Sequence, residues 1–302
     1  MFQKANKEKS KARVCLVGPS GSGKTYSALR VGCELARLTG DGKVALLDTE
    51  HGSASKYADL FSFDVAKLTD DYHPNKFVEA IHNAESAGYD VLIIDSLSAE
   101  WNGPGGVLQL VEAASRRGGN SFTSWGQINP LHDNLTNTIL AADMHVIVTL
   151  RAKIKFSHDR NEKGKTEIKK LGMGPIARDG SSYDYDVVCD LDQDNFLCVT
   201  KTRCPALKGL VVKEAGEGFA KTLADWLQDG ASTDWTEEER ITFLDDLNEI
   251  DIGVSLTQVD SFCRSIGKDK PAKMDAETRT KLLKFLGTKN GSGKITEYLN
   301  IP

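Results

Sequence analysis

Several absences narrow this chain before any motif is read. Of 302 residues only six are cysteines (Cys15, Cys33, Cys189, Cys198, Cys204, Cys263), and no two form a CxxC pair. That excludes a zinc ribbon or a disulfide-framed small domain and points to reduced thiols. The six histidines are too dispersed for a metal cluster. No serine occupies a Gly-x-Ser-x-Gly elbow, so that class of hydrolase is out. No run approaches the roughly 18 apolar residues of a membrane span. The first thirteen residues are basic but lack the apolar stretch of a secretory signal. A cytoplasmic protein with no membrane contact is the expectation. Charge of one sign is also missing in bulk: 38 basic against 43 acidic residues leave −5. On that average the chain has no preference for nucleic acid, although an average can hide a local patch.

What is present is ordinary globular material, 40% hydrophobic and 27% charged. Short, uniformly apolar runs alternate with helical patterns. Strands are predicted at Arg13–Val17, Val44–Asp48, Val91–Asp95 and His145–Thr149. Helices are predicted at about Lys24–Leu38, Pro74–Ala87, Val107–Ser115 and Leu131–Ala142. Strands apolar on both faces and separated by helices specify an α/β protein with a mostly parallel sheet. Tyr185–Leu191 and Phe196–Lys201, separated by four polar residues, predict a β-hairpin that extends the sheet. The polar stretch after Gln228 reads as a linker. Beyond it only helical periodicity remains, at Trp235–Asn248, Leu256–Ile266 and Asp275–Leu286. The expected organisation is a basic arm (1–12), an α/β domain (13–228), a linker (229–234) and a small helical domain (235–302).

The chemistry begins at Gly18-Pro19-Ser20-Gly21-Ser22-Gly23-Lys24-Thr25, a full G-x-x-x-x-G-K-[ST] phosphate-binding loop between a predicted strand and a helix start. Its glycines let successive backbone N–H groups point inward at the positive end of the helix dipole. Lys24 would set its ammonium on the β- and γ-phosphate oxygens, and the Thr25 hydroxyl would ligate Mg²⁺. The partner acid should end a neighbouring strand, which makes Asp95 the second metal-side residue. Glu50 follows the strand that ends at Asp48 and is the candidate base for the attacking water. ATP and Mg²⁺ are thus the expected ligands. A protein kinase is excluded, because its phosphate loop is of another type.

In this order the pieces resemble the RecA-like superfamily of P-loop recombinase ATPases, over roughly residues 12–228. The segment Asp48-Thr49-Glu50-His51 matches that family's acid-rich strand end, and the resemblance implies that Glu50 is catalytic. Tyr57, seven residues on, would lie against adenine. Ile94-Asp95-Ser96 matches the family's second acidic strand end. Thr149 stands at the position of the γ-phosphate sensor, where RecA carries Gln, and Arg151-Ala152-Lys153 follows it as R-x-K. Lys201-Thr202-Arg203 resembles a K-x-K strand end that reaches a neighbouring subunit's nucleotide, so Lys201 and Arg203 are implied trans-acting residues. The phrases Trp101-Asn102-Gly103 and Lys201-Thr202-Arg203 are closest to short phage-encoded RecA-like ATPases, some of them single-strand annealing proteins. For such a protein the compartment would be the host cytoplasm. Self-association into a ring or filament is implied, and Phe2-Gln3-Lys4-Ala5 matches an F-x-x-A docking phrase.

Divided along the chain, the charge is segregated. Residues 151–178 hold nine basic residues against three acids, a net +6; residues 1–13 carry +4 and residues 234–302 carry −3. Arg151, Lys153, Lys155, Arg160, Lys163, Lys165, Lys169 and Lys170 are the candidate contacts to single-stranded DNA. The alternative is a solvated hairpin whose lysines guard an exposed edge. The helical region has a capping box at Thr236 and Glu239 and an apolar stripe at Phe243, Leu244, Leu247 and Ile250, read as a small core or a protein-docking face. The function expected is a DNA-stimulated ATPase in recombination or annealing. A nucleotide-dependent switch with a protein partner and an ATP-driven helicase or packaging motor remain as alternatives.

Overall fold

In the computed structural model the described residues are 9–117, 120–160, 166–229, 237–250, 254–265, 271 and 276–298, with residues 154–160 and 166–172 described by backbone alone. They form two compact units, Ser10–Gln228 and a second built on the chain from Asp229 onward.

In the first unit the strands are β1 (Arg13–Gly18), β2 (Val44–Asp48), β3 (Asp64–Lys67), β4 (Val91–Asp95), β5 (His145–Arg160), β6 (Thr166–Pro175), β7 (Val187–Leu191), β8 (Phe196–Thr202) and β9 (Val211–Lys213). The sheet runs β3-β2-β4-β5-β1-β7-β8-β9, with β6 paired to β5 off this path. From β3 to β7 every pairing on the path is parallel, and β8 and β9 add an antiparallel edge. The α/β class expected from the apolar runs is therefore present. Neighbouring residues of β1 serve opposite faces, as a strand's period of two requires. Val14 and Leu16 pack with Leu29 and Leu35 on one side, whereas Cys15 and Val17 pack with Phe77, Ile81, Leu135 and Ile139 on the other.

The helices of this unit are α1 (Lys24–Thr39), α2 (Pro74–Ser86), α3 (Ser98–Asn102), α4 (Val107–Arg116), α5 (Ser121–Ala141) and α6 (Glu217–Gln228). Helix α5 corrects the expectation of a start at Leu131. Its cap is Asn120, whose Oδ1 accepts from the Thr123 N–H at 2.8 Å, and the helix continues through Pro130. Its last carbonyls, Leu140 and Ala142, accept from the buried Arg13 guanidinium at the start of β1. Residues 217–228 form α6, which the sequence reading does not name; Phe219, Leu223 and Leu227 bury it in the core that α1 shares. Strands β3 and β9 and helix α3 are likewise additions.

Two further differences concern β5 and its surroundings. The strand does not stop at Thr149: its first half lies in the main sheet beside β1 and β4, and from Ala152 to Arg160 it leaves to pair antiparallel with β6. Residues 152–160 and 166–175 thus form an antiparallel strand pair springing from the centre of the sheet. At its start His145 is buried and neutral. Its Nδ1 accepts from the Ala12 N–H at 2.8 Å, and its Nε2 lies 2.9 Å from the Thr39 hydroxyl, which itself donates to the Leu35 carbonyl. That chain of donors assigns the ring proton to Nε2. Burial, with the Lys11 and Arg13 charges, holds the His145 pKa down to about 3.

The second unit is helical: α7 (Glu237–Glu249), α8 (Leu256–Ser265), α9 (Ala276–Leu286) and α10 (Lys289–Tyr298). Phe243 and Leu247 of the expected stripe join Val259, Phe262, Leu286 and Ile295 in its core, and Ile250 packs against them. Among the described residues no helix is long and apolar enough to cross a membrane.

Candidate functional site

Parallel register gathers the site. Asp48 pairs with Asp95, Leu16 with Thr149 and Gly18 with Arg151, so the carboxyl ends of β2, β4, β5 and β1 present their acids and the phosphate loop at one sheet edge. The loop is shaped by Gly21 and Gly23, at φ +82° and +78°, a region favouring residues without a Cβ. Within it the Ser22 hydroxyl and the Lys24 ammonium both donate to the Pro19 carbonyl, at 2.9 and 2.8 Å. Burial lowers the Lys24 pKa, and Arg151 adds to the effect, against the pull of Asp95 and Glu50. The loop opens into a cleft of about 650 Å³. Ser20, Gly21, Gly23, Lys24 and Thr25 line it together with Glu50, Tyr57, Asp95 and Arg151.

Asp95 is 1% exposed and takes two hydroxyl hydrogens, Thr25 Oγ1 to its Oδ2 at 2.6 Å and Thr149 Oγ1 to its Oδ1. Burial raises its pKa in spite of these donors. Strand ends β2 and β4 are laced together beyond their ladder. Thr49 N–H donates to the Asp95 carbonyl, and the Thr49 hydroxyl both donates to the Ser96 carbonyl and accepts from its N–H. The Asp95–Ser96 peptide is cis. This lacing fixes Glu50, whose own N–H donates to Asp48 Oδ1 at 2.6 Å. A hydroxyl and a carboxylate 2.6 Å apart are hard oxygen donors of the kind Mg²⁺ takes, so Thr25 and Asp95 fit the expected ion.

Glu50 carries the least expected contact. Its Oε1 accepts from Arg151 Nε at 2.7 Å. Burial alone would raise the Glu50 pKa, but the Arg151 bond and charge, with Lys24, hold it below the usual carboxylate range. Arg151 was expected on DNA; the structure instead turns it into the nucleotide cleft, because its backbone sits one strand from Gly18 and is held by Ser98 Oγ and the Ile176 N–H. Thr149 also differs from the sensor expectation. It is fully buried, bonds Asp95 and does not line the cleft, so it orients a carboxylate rather than touching a phosphate.

Lys201 and Arg203 do not line this chain's own cleft, as residues expected to reach a neighbouring subunit's nucleotide would not. Lys201 Nζ donates to three carbonyls of its own chain, those of Ser182 at 3.0 Å, Tyr183 at 2.6 Å and Tyr185 at 2.5 Å. Arg203 pairs with Asp186 Oδ1 at 2.7 Å. Both side chains pin the segment that follows the β5–β6 hairpin. Of the remaining basic candidates, Lys153 is exposed, and Lys155, Arg160, Lys169 and Lys170 are placed on the hairpin strands by their backbone. Lys163 and Lys165 lie outside the described residues, as do Phe2–Ala5 and Thr236.

The cleft has a wall that sequence reasoning missed. Tyr26 packs edge-on to Tyr57 at 5.8 Å and to Phe61 at 5.3 Å between ring centres, and Tyr26, Asn195 and Glu214 join Tyr57 in lining the cleft. No motif flags Asn195 or Glu214; the one local signal is the turn composition Asp192-Gln193-Asp194-Asn195.

A family model described as an AAA domain matches residues 10–215. No curated protein matches the chain. Among solved structures, a KaiC-like protein of the hyperthermophilic archaeon Pyrococcus horikoshii is similar at 16% identity, covering 66% of this chain and 83% of that one, with a TM-score of 0.38.

Proposed function

The chain belongs to the AAA domain family and carries a P-loop ATPase core, and from that premise we propose that it hydrolyses Mg·ATP and couples the cycle to single-stranded DNA. The observation that carries the DNA half is the double role of Arg151. It is the partner of Glu50 in the cleft and the residue at which β5 begins to leave the sheet for the basic hairpin. The cation paired with the base precedes the first charged residue of the hairpin, Lys153, by two positions.

In the reaction the P-loop amides and Lys24 hold the β- and γ-phosphates, while Thr25 and Asp95 would hold the metal. Bound Mg²⁺ would neutralise charge on the phosphate oxygens. Glu50, kept ionised, accepts the proton of a water whose oxygen forms the new bond to the γ-phosphorus. The bond to the ADP oxygen breaks, and phosphate leaves. Arg151 engages Glu50 through Nε, so its terminal amino groups remain to face developing charge on the phosphate. Thr149 and Thr25 aim Asp95 by bonding one oxygen each.

Recombination or single-strand annealing of the kind phages encode is the biological role this chemistry suits, with self-association into a ring or filament during the cycle. Support comes from the +6 segment at residues 151–178 and from its attachment to the cleft. The deciding experiment is ATP turnover at low salt with and without single-stranded DNA, with Lys24→Ala as the blank. Several-fold stimulation supports the proposal. A flat response removes the DNA role and leaves an ATPase that switches a protein partner. Strand displacement without annealing indicates a motor instead. Reversing the charge of Lys163, Lys165, Lys169 and Lys170 should abolish DNA binding and spare nucleotide binding. Light scattering with ATP and DNA reports assembly.

A further inference from the structure

Among the described residues three that are not glycine have a left-handed backbone: His51 at φ +57°, Asn195 at +64° and Glu214 at +54°. The first follows the candidate base. The other two, far apart in sequence, line the same cleft. Asparagine tolerates this conformation, but a glutamate there is strained in a way that glycine would avoid. Such strain draws attention to the side chain, and the surrounding contacts indicate a purpose for it.

The wall is tied together at several points. Asp192 Oδ1 accepts from the N–H groups of Asp194 and Phe196, both at 2.9 Å, and shapes the β7–β8 turn. The Asn195 carbonyl accepts from the Glu214 N–H at 3.1 Å. Asn195 Nδ2 reaches the Gly21 carbonyl of the phosphate loop at 3.4 Å. Arg30 Nη1, on the helix that opens with Lys24 and Thr25, donates to the Glu214 carbonyl at 2.9 Å. The Glu214 carboxylate lies 3.9 Å from that guanidinium, beyond hydrogen-bond distance, and its side chain is 54% exposed. Its backbone is fixed to Asn195 and to α1, and its carboxylate oxygens remain available as acceptors.

Sheet order gives direction. The groups for the terminal phosphate (Glu50, Asp95, Arg151) come from β2, β4 and β5, on one side of β1. Asn195 and Glu214 come from the ends of β7–β9, on the other side. A triphosphate whose terminal phosphate meets Glu50 and Arg151 therefore turns its sugar toward the Glu214 side. A carboxylate there can only accept, and the adjacent hydroxyls of a ribose offer it two donors.

We infer that Glu214 is the ribose-reading residue of this cleft, accepting from the 2′- and 3′-hydroxyls of the nucleotide, and that Asn195 is the positioning residue joining it to the phosphate loop. The inference rests on the nucleotide reading above and adds a sugar preference to it. The test is calorimetric titration of the full chain with Mg·ATP and with Mg·2′-deoxyATP, for wild type, Glu214→Ala, Glu214→Gly and Lys24→Ala. Loss of one charge-assisted hydrogen bond predicts wild-type binding about tenfold tighter for ATP. Both Glu214 variants should bind the two nucleotides alike, and more weakly than wild type binds 2′-deoxyATP, because the bond to the 3′-hydroxyl is lost as well. Glu214→Gly should also melt higher, because it relieves the backbone, which separates recognition from stability. Equal affinity of wild type for the two nucleotides, or discrimination that survives Glu214→Ala, overturns the inference and leaves the ATP site standing. Binding of neither nucleotide, with wild type and Lys24→Ala indistinguishable, overturns the ATP site and this inference with it.

Discussion

Replacing Arg151 by alanine tests the contact at the centre of the cleft. The Arg151–Glu50 pair is short, 2.7 Å, with side chains 46% and 28% exposed, so water screens it substantially. A half-exposed, charge-assisted pair of this kind is worth about 1 kcal/mol, close to the upper end for exposed pairs and well below a desolvated one. Its removal should therefore raise the Glu50 pKa. The direction follows from the balance at this carboxyl. Burial is the largest influence and acts upward, Arg151 is the chief opposing one, and Lys24 remains in the variant. If ionised Glu50 is the base, activity falls as pH drops through its pKa. The acid limb of kcat/KM therefore moves to higher pH in Arg151→Ala, whatever happens to the plateau. Profiles of phosphate release between pH 3.5 and 8 at saturating Mg²⁺ would read it, with Glu50→Gln as the control that removes the limb. A limb that stays in place or moves to lower pH refutes either the role of Glu50 or the account of what sets its proton affinity.

Other outcomes follow from the same structure. Glu50→Gln should lower turnover by about 10²–10⁴-fold and leave ATP affinity within a few-fold, read by single-turnover kinetics and titration; equal loss of binding would make Glu50 a ligand and not a base. Lys201→Met leaves three carbonyls without their ammonium, at a cost of about 1–3 kcal/mol in urea unfolding, and mixed with wild type it should not depress the wild-type rate. Poisoned mixtures at unchanged stability would restore a role between subunits. His145 has a depressed pKa, so the unfolded chain binds more protons below its ordinary 6.5. Stability should be fully present above that pH and fall by about 1 kcal/mol per unit on acidification toward pH 3, a slope that His145→Asn should flatten. Phe77→Ala, at a fully buried position between α2 and the sheet, should cost about 3–5 kcal/mol in the same assay.

The elements legible in the sequence are those whose signal is local. Val44–Asp48 and Val91–Asp95 are strands at the expected residues, since a run apolar on both faces has little alternative to the middle of a covered sheet. Helix α5 was half visible. Gly126 and Pro130 weaken its pattern, and Asn120 signals its start only to a reader who already knows that a helix follows. Short edge strands such as Val211–Lys213 carry no periodicity to find.

The same division runs through the site. The phosphate loop, its lysine and threonine, and an acid at the end of an apolar strand are contiguous or follow from strand ends, so the sequence alone determined an α/β protein with a nucleotide cleft at one sheet edge. It could not determine which way a charged side chain turns. Arg151 opens the basic segment 151–178 and Lys201 opens the phrase Lys201-Thr202-Arg203, and charge patterning treats them as free cations. Tertiary structure assigns the first to Glu50, 101 positions away, and the second to carbonyls 16–19 residues back. Asn195 and Glu214 reach the loop only because β7–β9 lie beside β1. Partners of that kind depend on register and strand order, which are set by the packing of the whole sheet and leave no mark on neighbouring residues.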